Sequence, residues 1–258
     1  MNVAVVYKRD SGEIAQDVLE FLNSQNVSAR EFNYFSRELE DYDFIVSIGG
    51  DGTILDIIQE VRKCPPIFGV NTGRIGLLNH SEKSDFKDRL QEVLEGKVGT
   101  DEFLRIEGFI NEEKLTAMNE IAVLSAIPAK LLGVTVKVDG VETERVRADG
   151  MLFSTPVGST AYALSAGGPV IDPHVHSILM VPIAPFKLGW RPWVVNQNRT
   201  IEVELILGEA KVVADGRKSA KLSTNDVLTI KKYEHPAVFF KTQNERIEKI
   251  VNRIRTIE

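Results

Sequence analysis

Cysteine is almost absent: the 258-residue chain has one, Cys64. No intrachain disulfide can form, which suits a reducing compartment. Long apolar runs are absent as well. No segment approaches the roughly 20 consecutive apolar residues that a membrane span needs, so no membrane partner is expected. The opening MNVAVVYKRD lacks the charged start, long apolar stretch and small-residue cleavage site of a signal peptide. It reads as a strand, and the expected location is the cytoplasm. A basic excess is also missing. Lys and Arg total 31 against 37 Asp and Glu, a formal charge of −6. The basic residues are scattered, which argues against nucleic acid as a general partner. Any phosphate must therefore be met by local backbone amides, a few placed cations or a metal ion. No internal repeat or low-complexity segment occurs.

What is present falls into two textures. Through the first hundred residues, short apolar runs (Val3–Tyr7, Phe44–Ile48, Ile67–Val70) alternate with helical spacings. Ile14, Val18, Phe21 and Leu22 share one helical face, as do Ile54, Leu55, Ile57, Ile58 and Val61. Ser84 is placed to cap a helix carrying Phe86, Leu90, Val93 and Leu94. Alternating strands and helices predict an α/β domain with a parallel, Rossmann-like sheet.

After Gly99 the spacing shortens. Val134–Val138 leads to Asp139–Gly140, a hairpin signal. Thr200–Leu207 alternates, Lys211–Ala214 runs into a second Asp-Gly at Asp215–Gly216, and Asp226–Lys231 and Val238–Phe240 follow. These short strands predict a β-rich, sandwich-like second domain. Ile247, Ile250, Val251 and Ile254 form an apolar stripe on a terminal helix. The expected division is 1–98 for the α/β domain, 99–236 for the β-rich domain, and 237–258 for a segment packing back on the first.

The sharpest local feature is VSIGGDGTILDII at 46–58, where a strand hands over to a helix through GGDGT. Glycines there let a ligand approach the backbone, and the amides opening the next helix favour anions. The Rossmann G-x-G-x-x-G fails because its third glycine is missing, and no Walker P-loop occurs. A carboxylate beside phosphates needs a metal between them, or a proton from an attacking hydroxyl, as phosphoryl transfer provides. The spacing alone leaves a second reading equally open: Asp51 caps the helix that begins near Thr53.

Further along, STPVGSTAYALSAGGP at 154–169 is dense in hydroxyls and glycines, with two prolines, so a regular helix across it is not expected. Upstream lie Asn119–Glu120 and RADG, with Arg147 and Asp149. With GGDGT at 49–53 and NTGRIGLL at 71–78, these blocks resemble the NAD kinase family in order and spacing. Ile75 and Leu77 are mild departures, and Phe186 stands where the family commonly has histidine.

The resemblance implies ATP- and Mg²⁺-dependent phosphorylation of the adenosine-ribose 2′-hydroxyl of NAD. On that basis Asp51 accepts the proton near Mg²⁺, with Gly52 shaping the loop. Asn119 and Glu120 hold NAD, Thr160, Ala161, Tyr162, Ala163, Leu164 and Ser165 line its site, and Ala184 joins them. Asp149 bonds to the dinucleotide and Arg147 brings positive charge to a phosphate. The resemblance also implies a homodimer or homotetramer. Two other readings remain: a lipid kinase sharing GGDGT, which needs an apolar groove for acyl chains, and a dinucleotide sensor without turnover. The H-x-H of His174 and His176 lacks a partner acid cluster and reads as a surface turn.

Overall fold

The computed structural model describes residues 1–73, 76–187, 189–242 and 245–255. It comprises two compact units, Met1–Glu102 with His235–Glu258, and Phe103–Glu234. Ile75 lies outside the described residues, as does the side chain of Ile254.

In the first unit, Asn2–Tyr7 runs parallel to Ser28–Phe32 on one side and to Phe44–Ile48 on the other. Ile67–Asn71 continues the sheet, and Ala237–Phe240 joins it in parallel, although the chain leaves this unit for over a hundred residues in between. Every residue of Phe44–Ile48 and Ile67–Asn71 is buried, as expected for strands covered on both faces. Helix Gly12–Ser24 buries Ala15, Val18 and Leu22 against them. The helix expected to start from Ser84 runs from Phe86 to Leu94 with Asp85 at its N-cap. The Asp85 carboxylate takes the amide of Glu82 at 2.8 Å, and the N-cap residue makes no side-chain cap bond. On the terminal helix Glu245–Arg255, Ile250 is buried while Ile247 is exposed, so the apolar stripe is only partly used. Lys249 on this helix donates to the Asn79 carbonyl at 2.8 Å.

His80 shows how tightly this unit is pinned. Its ring lies between those of Phe68 and Phe239, at centroid distances of 5.4 and 6.1 Å. Nδ1 accepts the Gly69 amide at 3.0 Å, so the neutral ring carries its proton on Nε2 and donates to the Phe240 carbonyl at 2.5 Å. That one side chain ties the late strand Ala237–Phe240 to the early strand Ile67–Asn71.

The second unit is a sandwich of two antiparallel sheets. One has the order Val141–Ala148, Leu132–Val138, Ile201–Leu207, Val227–Lys232, Ile106–Ile110, Glu113–Ala117. The other runs Trp193–Asn196, Ser177–Ile183, Gly150–Ser154, Glu120–Ser125, Ala210–Ala214, Lys218–Leu222. Alternation decides what faces inward: Ile201, Val203 and Leu205 are buried while Glu202 and Glu204 are not. The shared core includes Val134, Val136, Met151, Phe153, Val212 and Leu222. Both Asp-Gly pairs turn as expected, with φ of 49° and 78° at Asp139–Gly140 and 49° and 68° at Asp215–Gly216.

Candidate functional site

In the first unit the strand Phe44–Ile48 ends at Gly49, and helix Asp51–Glu60 starts two residues later than the glycine. Gly49 has φ +152°, and a Cβ there would sit 2.2 Å from Thr53 Oγ1. No other residue fits this turn. Asp51 is the first residue of the helix and Gly50 is its N-cap. Asp51 is therefore not the N-cap residue. Its carboxylate reaches across to a separate loop, where Oδ2 accepts the Leu77 amide at 3.1 Å and Oδ1 the Leu78 amide at 3.0 Å. Asn79 Nδ2 adds a longer contact at 3.3 Å. Asp51 and Gly52 are half-buried, so this anchored carboxylate stays accessible at the C-terminal edge of the sheet, where ligands of α/β folds bind.

The loop that receives Asp51 is itself held by side chains. Asn71 closes its strand by accepting the Gly73 amide at 3.1 Å and donating to both oxygens of Glu82, at 3.1 and 3.2 Å. Asn71, Asn79 and the amides of Leu77 and Leu78 were not singled out as site residues by sequence reasoning. The available signal was the NTG turn dipeptides inside an otherwise apolar stretch.

In the second unit, Asn119 and Glu120 sit where strand Glu120–Ser125 begins. Their backbone is gripped from two sides. The Asn119 carbonyl accepts the Thr155 amide at 2.9 Å and the Ser154 hydroxyl at 3.1 Å, while the Met118 carbonyl accepts the Thr155 hydroxyl at 2.5 Å. On the other side, the Asp215 carboxylate accepts the amides of Met118, Asn119 and Glu120 at 2.8, 2.8 and 3.0 Å. The Glu120 side chain is only 8% exposed, and its Oε2 has no hydrogen-bond partner. Burial, reinforced by the negative charge of Asp215 and opposed by Arg217, pushes its carboxyl up to about 7.

The hydroxyl- and glycine-rich stretch forms two short turns, Val157–Thr160 and Tyr162–Ser165. Thr160 is buried with its hydroxyl on the Val157 carbonyl at 3.2 Å. Ala161 and Leu164 are half-buried, and Tyr162 and Ser165 are exposed. Ala163 is fully buried among Leu152, Leu179 and Val181. Gly158 brings this stretch against the Asn119 backbone: a Cβ would lie 2.1 Å from the Asn119 carbonyl oxygen and 2.5 Å from its carbon. Backbone atoms held by the Thr155 and Ser154 bonds cannot yield. Gly158→Ala is therefore expected to cost about 3 kcal/mol by overpacking, read as a lower urea midpoint. Gly12→Ala, on helical backbone with open space around it, is expected to leave that midpoint within about 0.5 kcal/mol of the parent.

Arg147 and Asp149 are exposed at the end of strand Val141–Ala148. The Arg147 guanidinium lies 5.7 Å from the centroid of Phe186, a ring that is 70% exposed. The Asp149 amide bonds to the Ile183 carbonyl at 3.0 Å and the Phe186 amide to the Arg147 carbonyl at 2.8 Å. Between these bonds Ala184 is forced to φ +45°, an uncommon conformation for alanine. Arg147, Phe186, Lys187 and Trp190 border a cavity of about 290 Å³. His174 lies on a turn and His176 directly precedes strand Ser177–Ile183, and among the described residues no group of three or more His, Cys, Asp or Glu is placed to hold a metal by itself. Cys64 is buried beside the Pro65 carbonyl.

Comparison with known proteins matches both units. Residues 3–98 match the family described as ATP-NAD kinase N-terminal domain, and residues 118–242 match the ATP-NAD kinase C-terminal domain. The NAD kinase of Archaeoglobus fulgidus is 48% identical over the full length of both chains. That of Methanosarcina barkeri is 42% identical over 81% of this chain and 78% of its own. Among solved structures, an NAD kinase from Archaeoglobus fulgidus in complex with ATP superposes with a TM-score of 0.91, at 46% identity and full coverage of both chains. Yeast NADH kinase complexed with NADH shares the fold, with a TM-score of 0.88 at 24% identity over all of this chain and 88% of its own.

Proposed function

The chain belongs to the NAD kinase family, and from that premise we propose how it phosphorylates NAD with ATP. The acceptor is the adenosine-ribose 2′-hydroxyl and the product is NADP. Asp51 takes the hydroxyl proton as the oxygen attacks the γ-phosphorus of ATP and ADP departs. The observation that carries this reading is the pair of backbone amides, Leu77 and Leu78, that fix the Asp51 carboxylate away from its own helix. These bonds hold the carboxylate in one orientation at the sheet edge, where it serves as the base. The loose transition state of phosphoryl transfer asks more for positioning than for base strength.

In the same reading Asn119 and Glu120 hold NAD, with Tyr162, Ser165 and Asp149 as exposed contacts and Arg147 beside a phosphate. Thr160, Ala161, Ala163, Leu164 and Ala184 shape the same surface. The donor set suits Mg²⁺. This cation is usually bound by one or two carboxylates with water and substrate phosphates rather than by a protein cage, and it would lie near Asp51, held mainly by the ATP phosphates and water. When bound, Mg²⁺ would neutralise charge on the ATP phosphates. A single buried thiol supports a reducing compartment, the cytoplasm, which cell fractionation tests. No described helix is long and apolar enough to cross a membrane. A homodimer or larger homo-oligomer is supported by the edge strand Trp193–Asn196, where Trp193 and Val194 are exposed. Sedimentation at the monomer mass would remove that support.

The test of the activity is direct. Purified protein is supplied with NAD, ATP and Mg²⁺ and coupled to a dehydrogenase that accepts only NADP. A signal that requires all three is expected. A signal with diacylglycerol in place of NAD, or NAD binding without turnover, would replace this reading with a lipid kinase or a sensor.

A further inference from the structure

The two Asp-Gly turns of the second unit have the same backbone and opposite fates. At Asp139–Gly140 the carboxylate turns outward, to the Thr200 amide and the Arg199 guanidinium, and is 40% exposed. At Asp215–Gly216 the carboxylate is turned inward and the residue is 4% exposed. The turn therefore does not require a buried acid. What the buried acid gains is the three consecutive amides of Met118, Asn119 and Glu120. Bonds from N–H groups to a carboxylate are about twice as strong as neutral ones, and a buried carboxylate tolerates its setting only when satisfied in this way.

The rest of the turn reinforces the arrangement. The Asp215 amide bonds back to the Glu120 carbonyl at 3.0 Å, closing a ring with the reverse bond. Arg217 Nη1 donates to the Asp215 carbonyl at 2.7 Å. With Thr155 and Ser154 holding the carbonyls of Met118 and Asn119, the polar backbone groups of the Asn119–Glu120 junction are committed to the protein. Their side chains are what is left for a ligand.

We propose that Asp215 is a positioning residue for NAD phosphorylation: its carboxylate sets the backbone from Met118 to Glu120 and so aims the Asn119 and Glu120 side chains at NAD. The proposal rests on the reading that these two residues bind NAD. Asp215 itself touches no substrate in this scheme.

Asp215→Asn is the discriminating variant. Asparagine accepts positive φ as readily as aspartate, so the turn survives. One oxygen still accepts, but the new NH₂ faces an amide N–H and the charge is gone. Steady-state kinetics are expected to show KM for NAD raised about tenfold or more, with kcat at saturating NAD and KM for ATP within about threefold of the parent, the pattern of lost ground-state binding. A folded variant with unchanged KM for NAD, or with kcat alone reduced, overturns the proposal. If the variant does not fold, amide hydrogen exchange on the parent protein decides. The three amides are expected to exchange among the slowest of the second unit, and fast exchange overturns the proposal. Failure of the parent to phosphorylate NAD at all is a separate result, and it removes the reading beneath.

Discussion

Asp51→Asn is expected to yield a folded protein that binds NAD and phosphorylates it about a hundredfold to ten-thousandfold more slowly, the range a general base contributes. The substitution keeps size and shape but removes the lone pair that takes the 2′-hydroxyl proton. It also disturbs the anchor. Both oxygens now accept an amide, from Leu77 and Leu78, and an asparagine NH₂ would meet one of those N–H groups head-on. That mismatch costs about 1–3 kcal/mol, so a modest loss of stability accompanies the kinetic effect. Kinetics, calorimetric NAD binding and a urea titration on the same preparation separate the two. Near-parent turnover would show that Asp51 only ties the 77–79 loop to the helix start, and the proton would need another acceptor.

The second large effect concerns Glu120, whose buried carboxyl sits at about 7 against 4.5 for a free one. Below the lower value the folded and unfolded chains are both protonated there, and the residue does not affect stability. Between the two, the unfolded chain releases its proton while the folded one keeps it, so stability falls as pH rises. Above the upper value the penalty is complete, on the order of 3 kcal/mol. Glu120→Gln mimics the protonated form and does not titrate. Its unpaired NH₂ carries a cost, but one independent of pH. Relative to the parent it is expected to gain on the order of 3 kcal/mol between pH 4.5 and pH 8, measured as the change in the difference of urea midpoints. A difference that stays flat over that range would mean Glu120 is solvated or paired as an anion. NAD affinity of the parent should break over the same pH range, and the break should vanish in Glu120→Gln.

These two carboxylates also mark how far local reading reaches. The α/β texture of the first unit and the hairpins of the second were legible because periodicity and turn chemistry act over a few residues. Alternation at Ile201–Leu207 and the apolar run Phe44–Ile48 each state which faces are covered. Helix starts were less legible. Ser84, Asp85 and Asp51 are all good capping types, yet the N-cap positions fall on Asp85 and Gly50, and the Asp85 and Asp51 carboxylates each take amides from outside the helix. His80 gave no signal, since its ring is sandwiched between Phe68 and the far distant Phe239.

By itself, then, the sequence determined the fold class and the motifs by which the chain resembles its family: GGDGT, Asn119–Glu120 and the stretch from Ser154 to Pro169. Only the tertiary structure decided what the acids do. Asp51 is oriented by amides 26 and 27 residues away, and Asp139 and Asp215, alike in sequence and backbone, were separated into a surface ion pair and a buried clamp reaching across 95 to 97 residues. The physical reason is one of range. Backbone preference and hydrophobic period are settled between neighbours, whereas the fate of a charge depends on which donors distant segments bring to it when water is excluded.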